Sequence, residues 1–373
     1  MKITPAEDKT AARGVVSSNH PLAAQAGAEI LRGGGNAIDA AVTTALTMHV
    51  VAPAWSTIGG GAFIMIHLKR AGQTVAIDAR EVAPRQARTS PEVFDFGYQS
   101  ICVPGCLAGY QLALKQHGTI NLKQALAPAI KYAGEGYEIS RRMQDILQNN
   151  IDSAQDKARQ FPMMREMFFV KGAPPHIGDK IVSVDLARTL QRIADGGSEV
   201  FYRGETCEAI ATDMAKNSGF ITREDLAAYR PVVREPVVGT YRGHEIRSAP
   251  PPSGGGCALI EALNILENFD LAGLGHNSAS SIHTICESLK HAYADADNWV
   301  ADPEFVAVPA MKLTAKSYAR EISKRIDPKR ASKEVSPYQD EGFNLRVPSP
   351  PSDRRDIAHG GSTAHLVAID RNR

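Results

Sequence analysis

HGGSTAHLVAIDRNR, residues 359–373, sets two glycines, Ser362 and Thr363 ahead of the β-rich run Leu366–Ile369. In a joint of small residues, low steric bulk lets a hydroxyl fold back onto the carbonyl of the peptide bond just before it. A threonine placed there can shift the acyl group from its own nitrogen to its oxygen and release itself as a new N-terminus. The liberated Thr363 carries a nucleophilic hydroxyl beside an α-amine, whose reference pKa of about 7.7–8.0 suits a general base at neutral pH. Gly-Ser-Thr is also ordinary turn chemistry, so the motif alone is weak.

A second motif is IDAREVAP, residues 77–84, in which Arg80 leaves an apolar strand with an acid close on each side. A guanidinium can grip a carboxylate through two parallel bonds, so Arg80 can anchor the α-carboxylate of an amino-acid-like substrate. An internal ion pair with Asp78 or Glu81 is the simpler reading of this stretch by itself.

Composition narrows the classes of function. The 373 residues are 43% hydrophobic, enough for a sizeable core. The 42 Lys and Arg balance 41 Asp and Glu, leaving no basic footprint for nucleic acid and no pull toward an anionic membrane. A small-molecule ligand fits better. No run of apolar residues is long enough for a span, and MKITPAEDKTAARGVV lacks the apolar core of a leader. The expectation is a cytoplasmic protein as the sequence is written, periplasmic or extracellular if a leader lies upstream. Cys102, Cys106, Cys207, Cys257 and Cys286 have no zinc-site or disulfide spacing and read as buried free thiols.

Along the chain, residues 14–68 read as strand, helix, helix, strand. Asn19 and Asn36 are the expected helix caps. The alanines and threonines of AIDAAVTTALTMHV, with Ile38, Val42, Leu46 and His49 on one stripe, predict tight helix packing. Residues 62–68 and 74–79 form a hairpin pattern about Lys69–Gly72, apolar on both faces as in a sheet covered on each side. Residues 106–230 are mainly helical, with a Thr222-x-x-Asp225 capping box. VVGTYRGHEIRSA is a hairpin turning at Arg242–Gly243, and a helix follows Pro250–Gly256. Ile282, Ile285, Leu289, Tyr293 and Ala296 recur at helical spacing and are expected in the core. Residues 327–359 are charged, with five prolines, and predict an extended, mobile segment.

Other motifs fail on inspection. None of the three Gly-Gly-Gly runs has the spacing of a phosphate loop, and His244-Glu245 lacks the second histidine of a zinc helix. Ser253 lacks the preceding glycine of a nucleophile elbow.

HPLAAQAGAEILRGGGNAIDAAV, IGGGAFIMI, AIDAREVAP, ITREDLAAYRPVVREPVVGTYRG, APPPSGGG with NILENFDL, and STAHLVAID follow one another in the order seen in the γ-glutamyltranspeptidase family. The chain resembles that family, the glutathione hydrolases, from about Gly14 to Asp370. The resemblance implies an α+β fold, the αββα sandwich of N-terminal-nucleophile hydrolases, incomplete without its small subunit. It implies a proenzyme that cuts itself between Ser362 and Thr363, so residues 1–362 correspond to the large subunit and residues 363–373 to the start of a small one. On that match Thr363 is the nucleophile and Arg80 holds the α-carboxylate of a γ-glutamyl group, while residues 327–359 move away after cleavage.

The implied reaction is acyl transfer from glutathione or a γ-glutamyl amide to water or an amino acid, without metal or organic cofactor. The implied partner is a complementary small subunit, which in the family supplies the oxyanion donors. The chain stops ten residues past Thr363, so by itself it is expected to be inactive and to expose apolar strand faces. One departure is Thr363-Ala364-His365, where the family has Thr-Thr-His. The alternatives are a leaderless amidohydrolase or acylase of the same fold with another substrate, or a catalytically inactive truncated scaffold.

Overall fold

The computed structural model describes residue 11 and residues 13–88, 97–145, 162–170, 172–339 and 363–373. In chain order the elements used below are β1 (Gly14–Ser18), α1 (Pro21–Arg32), α2 (Ala37–Val51), β2 (Ala62–Leu68), β3 (Gln73–Ala79), α3 (Cys106–His117), α4 (Leu122–Glu135), β4 (Val232–Arg234), β5 (Val237–Tyr241), β6 (His244–Ser248), α5 (Gly254–Leu266), α6 (Ala279–Trp299) and β7 (Leu366–Asp370). They form two compact units. One comprises Met1–Ala62, Asp78–Val232 and Gly361–Arg373, the other Phe63–Ile77 and Val233–Gly360. Helices and strands are mixed as in the α+β class.

In the first unit, β1 and β7 pair antiparallel, Gly14 opposite Asp370 and Ser18 opposite Leu366. The ladder lies on α1 and α2, which pack against each other, and α2 also packs on α4. The cap of α1 falls one residue after the expected Asn19. His20 takes that role, its Nδ1 accepting from the Leu22 N–H at 3.3 Å, and Pro21 occupies the first turn, where its missing N–H leaves nothing unpaired.

Asn36 caps α2 as its sequence implies. Its side-chain oxygen accepts from the N–H groups of Ile38 and Asp39, and Asp39 accepts in return from the Asn36 N–H at 2.9 Å. Asp39 also accepts from the Thr119 N–H, the Thr119 hydroxyl and the Ile120 N–H, at 2.8, 2.6 and 3.2 Å. One fully buried carboxylate thereby ties the start of α2 to the loop before α4. α2 is buried nearly all round instead of along one stripe. The hydroxyls of Thr44 and Thr47 turn back to carbonyls one turn earlier, at 2.7 Å each. Gly27 of α1 permits the close approach: a Cβ there would stand 2.1 Å from Thr44 Oγ1.

In the second unit, β3 is the middle strand of the order β2-β3-β4. Thr74 to Ile77 are buried on both faces, as expected of a covered sheet, whereas β2 stands at the end of the order and leaves Met65 exposed. β5 and β6 form the expected hairpin, with Arg242 and Gly243 both at positive φ in a two-residue turn that matches strand twist.

α6 reverses an expectation. Ile282, Ile285, Leu289 and Tyr293 point outward, Tyr293 being 57% exposed, while Ser281, Thr284, Glu287, Ser288, His291 and Asp295 are buried. Of the stripe, Ala296 alone joins the core, with Ala258, Ala262 and Ala292. The polar face can turn inward because most of it finds partners. Thr284 and Ser288 donate to carbonyls one turn back, Glu287 accepts from Lys290 at 2.6 Å and from the Ser332 N–H at 3.1 Å, and Asp295 accepts from the Tyr318 hydroxyl at 2.6 Å and from the Tyr338 N–H. His291 Nδ1 on this face finds no hydrogen-bond partner, and neither does Glu261 of α5. Both of its oxygens lack a hydrogen-bond partner of ordinary geometry, and burial beside Asp295 pushes its carboxyl up to about 10.

The segment expected to be mobile, residues 327–359, is described only as far as residue 339. That part has no regular structure but is anchored: Lys290 donates to the Ser332 carbonyl at 2.8 Å and the Trp299 ring N–H to the Tyr338 carbonyl at 2.9 Å. Its remainder lies outside the described residues.

Candidate functional site

Arg80 follows the last residue of β3. Its backbone N–H donates to Asp78 Oδ1 at 3.1 Å, and its Nε lies 3.8 Å from Glu81 Oε1, with the side chain 51% exposed. The ion pair considered for this stretch therefore exists with Glu81, but it is long and solvent-facing, so it holds the guanidinium weakly.

The backbone here is held firmly. Gly61 lies against it: a Cβ on Gly61 would stand 2.5 Å from Glu81 N and 2.9 Å from Arg80 Cα. Gly105, at the start of α3, presses from elsewhere, where a Cβ would stand 2.7 Å from the Arg80 carbonyl oxygen and 2.2 Å from the Tyr229 hydroxyl. The N–H groups of Gly105 and Cys106 both donate to the Gly60 carbonyl at 3.0 Å, and Val82 and Val103 exchange backbone bonds. The Gly59–Gly61 run, which has no phosphate-loop spacing, thus serves to let three backbone segments meet.

A third support comes from the short helix Arg223–Ala228. Its capping box forms as expected, Asp225 accepting from the Thr222 N–H at 3.0 Å, and the other Asp225 oxygen accepts from the Arg85 N–H at 3.1 Å. The helix ends at Tyr229, whose hydroxyl donates to the Arg80 carbonyl at 2.8 Å. Sequence reasoning missed Tyr229, although it lies within a motif quoted above. No local signal connects it to a residue 149 positions away.

Thr363 is exposed and leads into β7, and Ser362 lies outside the described residues. The strand behind Thr363 is fixed by its register with β1 and by Asp370 Oδ2, which accepts from the Ala37 N–H at 3.1 Å. The His365 N–H also points to Asn19 Oδ1, at 3.4 Å. Thr363 and Arg80 belong to the same compact unit. One face of the β1–β7 ladder is apolar and open, with Val15, Val367 and Ile369 exposed at 47%, 43% and 47%.

Near the root of Arg80 the buried Cys106 and His49 meet the half-buried Ser56. Cys106 Sγ lies 3.8 Å from His49 Nε2 and donates to the Ile58 carbonyl at 3.3 Å, while His49 Nδ1 meets the Ser56 hydroxyl at 2.8 Å. Burial pushes the Cys106 thiol up to about 12 and the His49 imidazole down to about 4, so both are neutral at physiological pH and no thiolate is available. Cys207 and Cys257 are buried too, but, against expectation, Cys102 is only half-buried and Cys286 is exposed on the outward face of α6. Among the described residues, no group of three or more His, Cys, Asp or Glu is placed to hold a metal ion, and no helix is long and apolar enough to cross a membrane.

The family model described as Gamma-glutamyltranspeptidase matches residues 23–373. The glutathione hydrolase proenzyme of Escherichia coli is 39% identical over 339 residues, covering 88% of this chain and 58% of that protein. The acylase ACY 1 proenzyme of Pseudomonas sp. strain V22 is 38% identical over 84% of this chain and 58% of its own length. The chain thus spans a little under three fifths of both relatives. Among solved structures, the γ-glutamyltranspeptidase of Helicobacter pylori superposes with a TM-score of 0.85 at 40% identity, covering 91% of this chain and 99% of that one. The cephalosporin acylase of Bacillus halodurans superposes with a TM-score of 0.84 at 30% identity, covering 100% of this chain and 67% of that one. These are N-terminal-nucleophile hydrolases, the fold class expected from the sequence.

Proposed function

The chain belongs to the γ-glutamyltranspeptidase family, and from that premise we propose that the protein containing it is a proenzyme that cuts itself before Thr363 and then transfers γ-glutamyl groups. The observation that carries the reading is the placement of Thr363, exposed at the head of a strand whose register is fixed, in the unit that also presents Arg80.

In the first step the Thr363 hydroxyl adds to the Ser362 carbonyl. The Ser362–Thr363 C–N bond breaks, the nitrogen takes the proton, and an ester remains. Water hydrolyses that ester, leaving a carboxylate on Ser362 and a free amine on Thr363. In turnover the amine takes the hydroxyl proton as Thr363 attacks the γ-amide carbonyl, then passes it to the departing amine. The γ-glutamyl ester goes to water, giving glutamate, or to the amine of an acceptor amino acid. Arg80 holds the α-carboxylate, which places the γ-carbonyl at a set distance from the nucleophile.

The open apolar face of the β1–β7 ladder supports a complementary small subunit as the partner that covers it. No metal or organic cofactor enters these steps. The test is the intact mass of the protein made from its natural locus. A fragment ending at Ser362 with a partner beginning at Thr363 is the expected result, and a single uncut chain overturns the proposal.

A second reading is favoured by one finding: the acylase relative is as similar as the glutathione hydrolase, at 38% against 39%. It keeps the nucleophile and changes the acyl group. Turnover of γ-glutamyl anilide against that of an acyl amide lacking the α-amino acid head separates the two.

A further inference from the structure

Arg80 is 51% exposed at its tip and enclosed at its root. Where an exposed side chain places its charged end depends on how its Cα and carbonyl are held as well as on its own contacts. What holds this root is a small aromatic and glycine assembly within the first unit. The Tyr229 hydroxyl donates to the Arg80 carbonyl at 2.8 Å. The Tyr229 ring stacks on Tyr202 with centroids 5.7 Å apart and planes 12° from parallel. Tyr202 is fixed in turn, donating to the Pro104 carbonyl at 3.0 Å and accepting from the Ala108 N–H at 3.3 Å. Both rings are buried, 6% and 4% exposed.

The attachment is at two points. Asp225 accepts from the Arg85 N–H, and four residues later Tyr229 reaches Arg80, so one short helix braces the segment between them. Gly105 leaves the gap into which the Tyr229 hydroxyl fits. Burial and the nearby charge of Asp78 raise the Tyr229 hydroxyl well above the ordinary phenol range, so it is a donor at neutral pH.

We infer that Tyr229 is a positioning residue for substrate recognition, acting through the Arg80 carbonyl to set where the guanidinium meets a carboxylate. This rests on the reading of Arg80 as the carboxylate anchor. Arg80 would touch the substrate; Tyr229 would not.

The test uses the complete processed protein that carries this chain, with two donors: γ-glutamyl-p-nitroanilide, and the 4-aminobutanoyl anilide that lacks the α-carboxylate. Tyr229→Phe removes the hydroxyl and keeps the stacked ring. It is expected to raise KM for the γ-glutamyl donor roughly three- to tenfold, about the loss of one hydrogen bond, with kcat within about twofold. KM for the 4-aminobutanoyl donor is expected to stay unchanged. Arg80→Ala is measured alongside. If Arg80→Ala discriminates between the donors and Tyr229→Phe does not, or affects both equally, the positioning role is overturned while the anchor stands. If Arg80→Ala does not discriminate, the anchor reading fails and this inference with it. Should Tyr229→Phe not fold, Tyr202→Phe loosens the same stack one step removed, and must give the same split at smaller size or the inference falls.

Discussion

Asp370, the last residue of β7, accepts a hydrogen bond from the Ala37 N–H at the first turn of α2, at 3.1 Å. The strand that begins just after Thr363 is therefore tied to a buried helix at its far end as well as to β1 along its length. A carboxylate at a helix N-terminus also meets the positive end of the helix dipole. Asp370→Ala is expected to cost about 1 kcal/mol, the usual loss of an N-terminal cap. Hydrogen exchange of the β7 amides should speed up in that variant while exchange in α4 is unchanged.

Thr363→Ala should leave the precursor uncut, because no hydroxyl remains to take the acyl group. Thr363→Ser keeps both hydroxyl and amine and should still be cut, more slowly. Intact mass after equal incubation distinguishes the three proteins, and cutting that persists in the alanine variant would end the nucleophile assignment.

Arg80→Lys keeps the charge and loses the planar fork. A hydrogen bond to a charged group is worth about 1.5–3 kcal/mol, so KM for a γ-glutamyl donor should rise by roughly 10-fold or more. The fold should be undisturbed, since the side chain is exposed and only the backbone of Arg80 is enclosed. Equal melting temperatures with unequal KM values are the expected pair of results.

Glu261 makes stability fall as pH rises. Burial beside Asp295 raises its carboxyl well above the unfolded value of 4.5, so above that pH the folded state holds a proton that the unfolded state has lost. Stability fully present below about pH 4.5 is lost progressively as pH rises above it. Glu261→Gln removes the slope and should melt higher than the parent at pH 8 and alike at pH 4.

His49 acts in the opposite direction. Its folded value of about 4 lies below the unfolded 6.5, so the unfolded state binds the extra proton in that window. Full stability above pH 6.5 declines as pH falls to 4, by about 3 kcal/mol over the interval. Denaturant midpoints measured at pH 7 and pH 4.5 should differ less in His49→Gln than in the parent.

Local chemistry was readable from the sequence wherever one residue's side chain serves its own neighbours. The Asn36 cap, the Thr222 box and the Arg242–Gly243 turn formed where their residues put them, because each satisfies backbone groups within a few residues. The His20 cap shows the limit: Asn19 is the better capping residue by type, yet Pro21 fixes the helix start one residue later. α6 was misread for a different reason. Periodicity locates an apolar face without saying whether it is turned inward, and Glu287 and Asp295 are drawn in by partners on distant segments, Ser332, Tyr318 and Tyr338. At the site, Thr363 and Arg80 stand out as residue types suited to a task. Tyr229, Gly61 and Gly105 do not, since their contribution exists only once segments far apart in the chain are brought together.

The β1–β7 pairing has a consequence during synthesis. Gly14 meets Asp370, so the first strand leaves the ribosome long before its ladder partner among the described residues. At about 5–20 residues per second, the intervening chain takes roughly 20–70 s to make. Through that interval β1 has α1 and α2 to lean on but no strand beside it, and its unpaired backbone edge is open to another nascent chain. Contacts this distant in sequence also slow folding of the finished chain. The ladder that presents Thr363 is thus among the last parts of the unit to form, which delays any chemistry at that residue until the rest of the chain around it is in place.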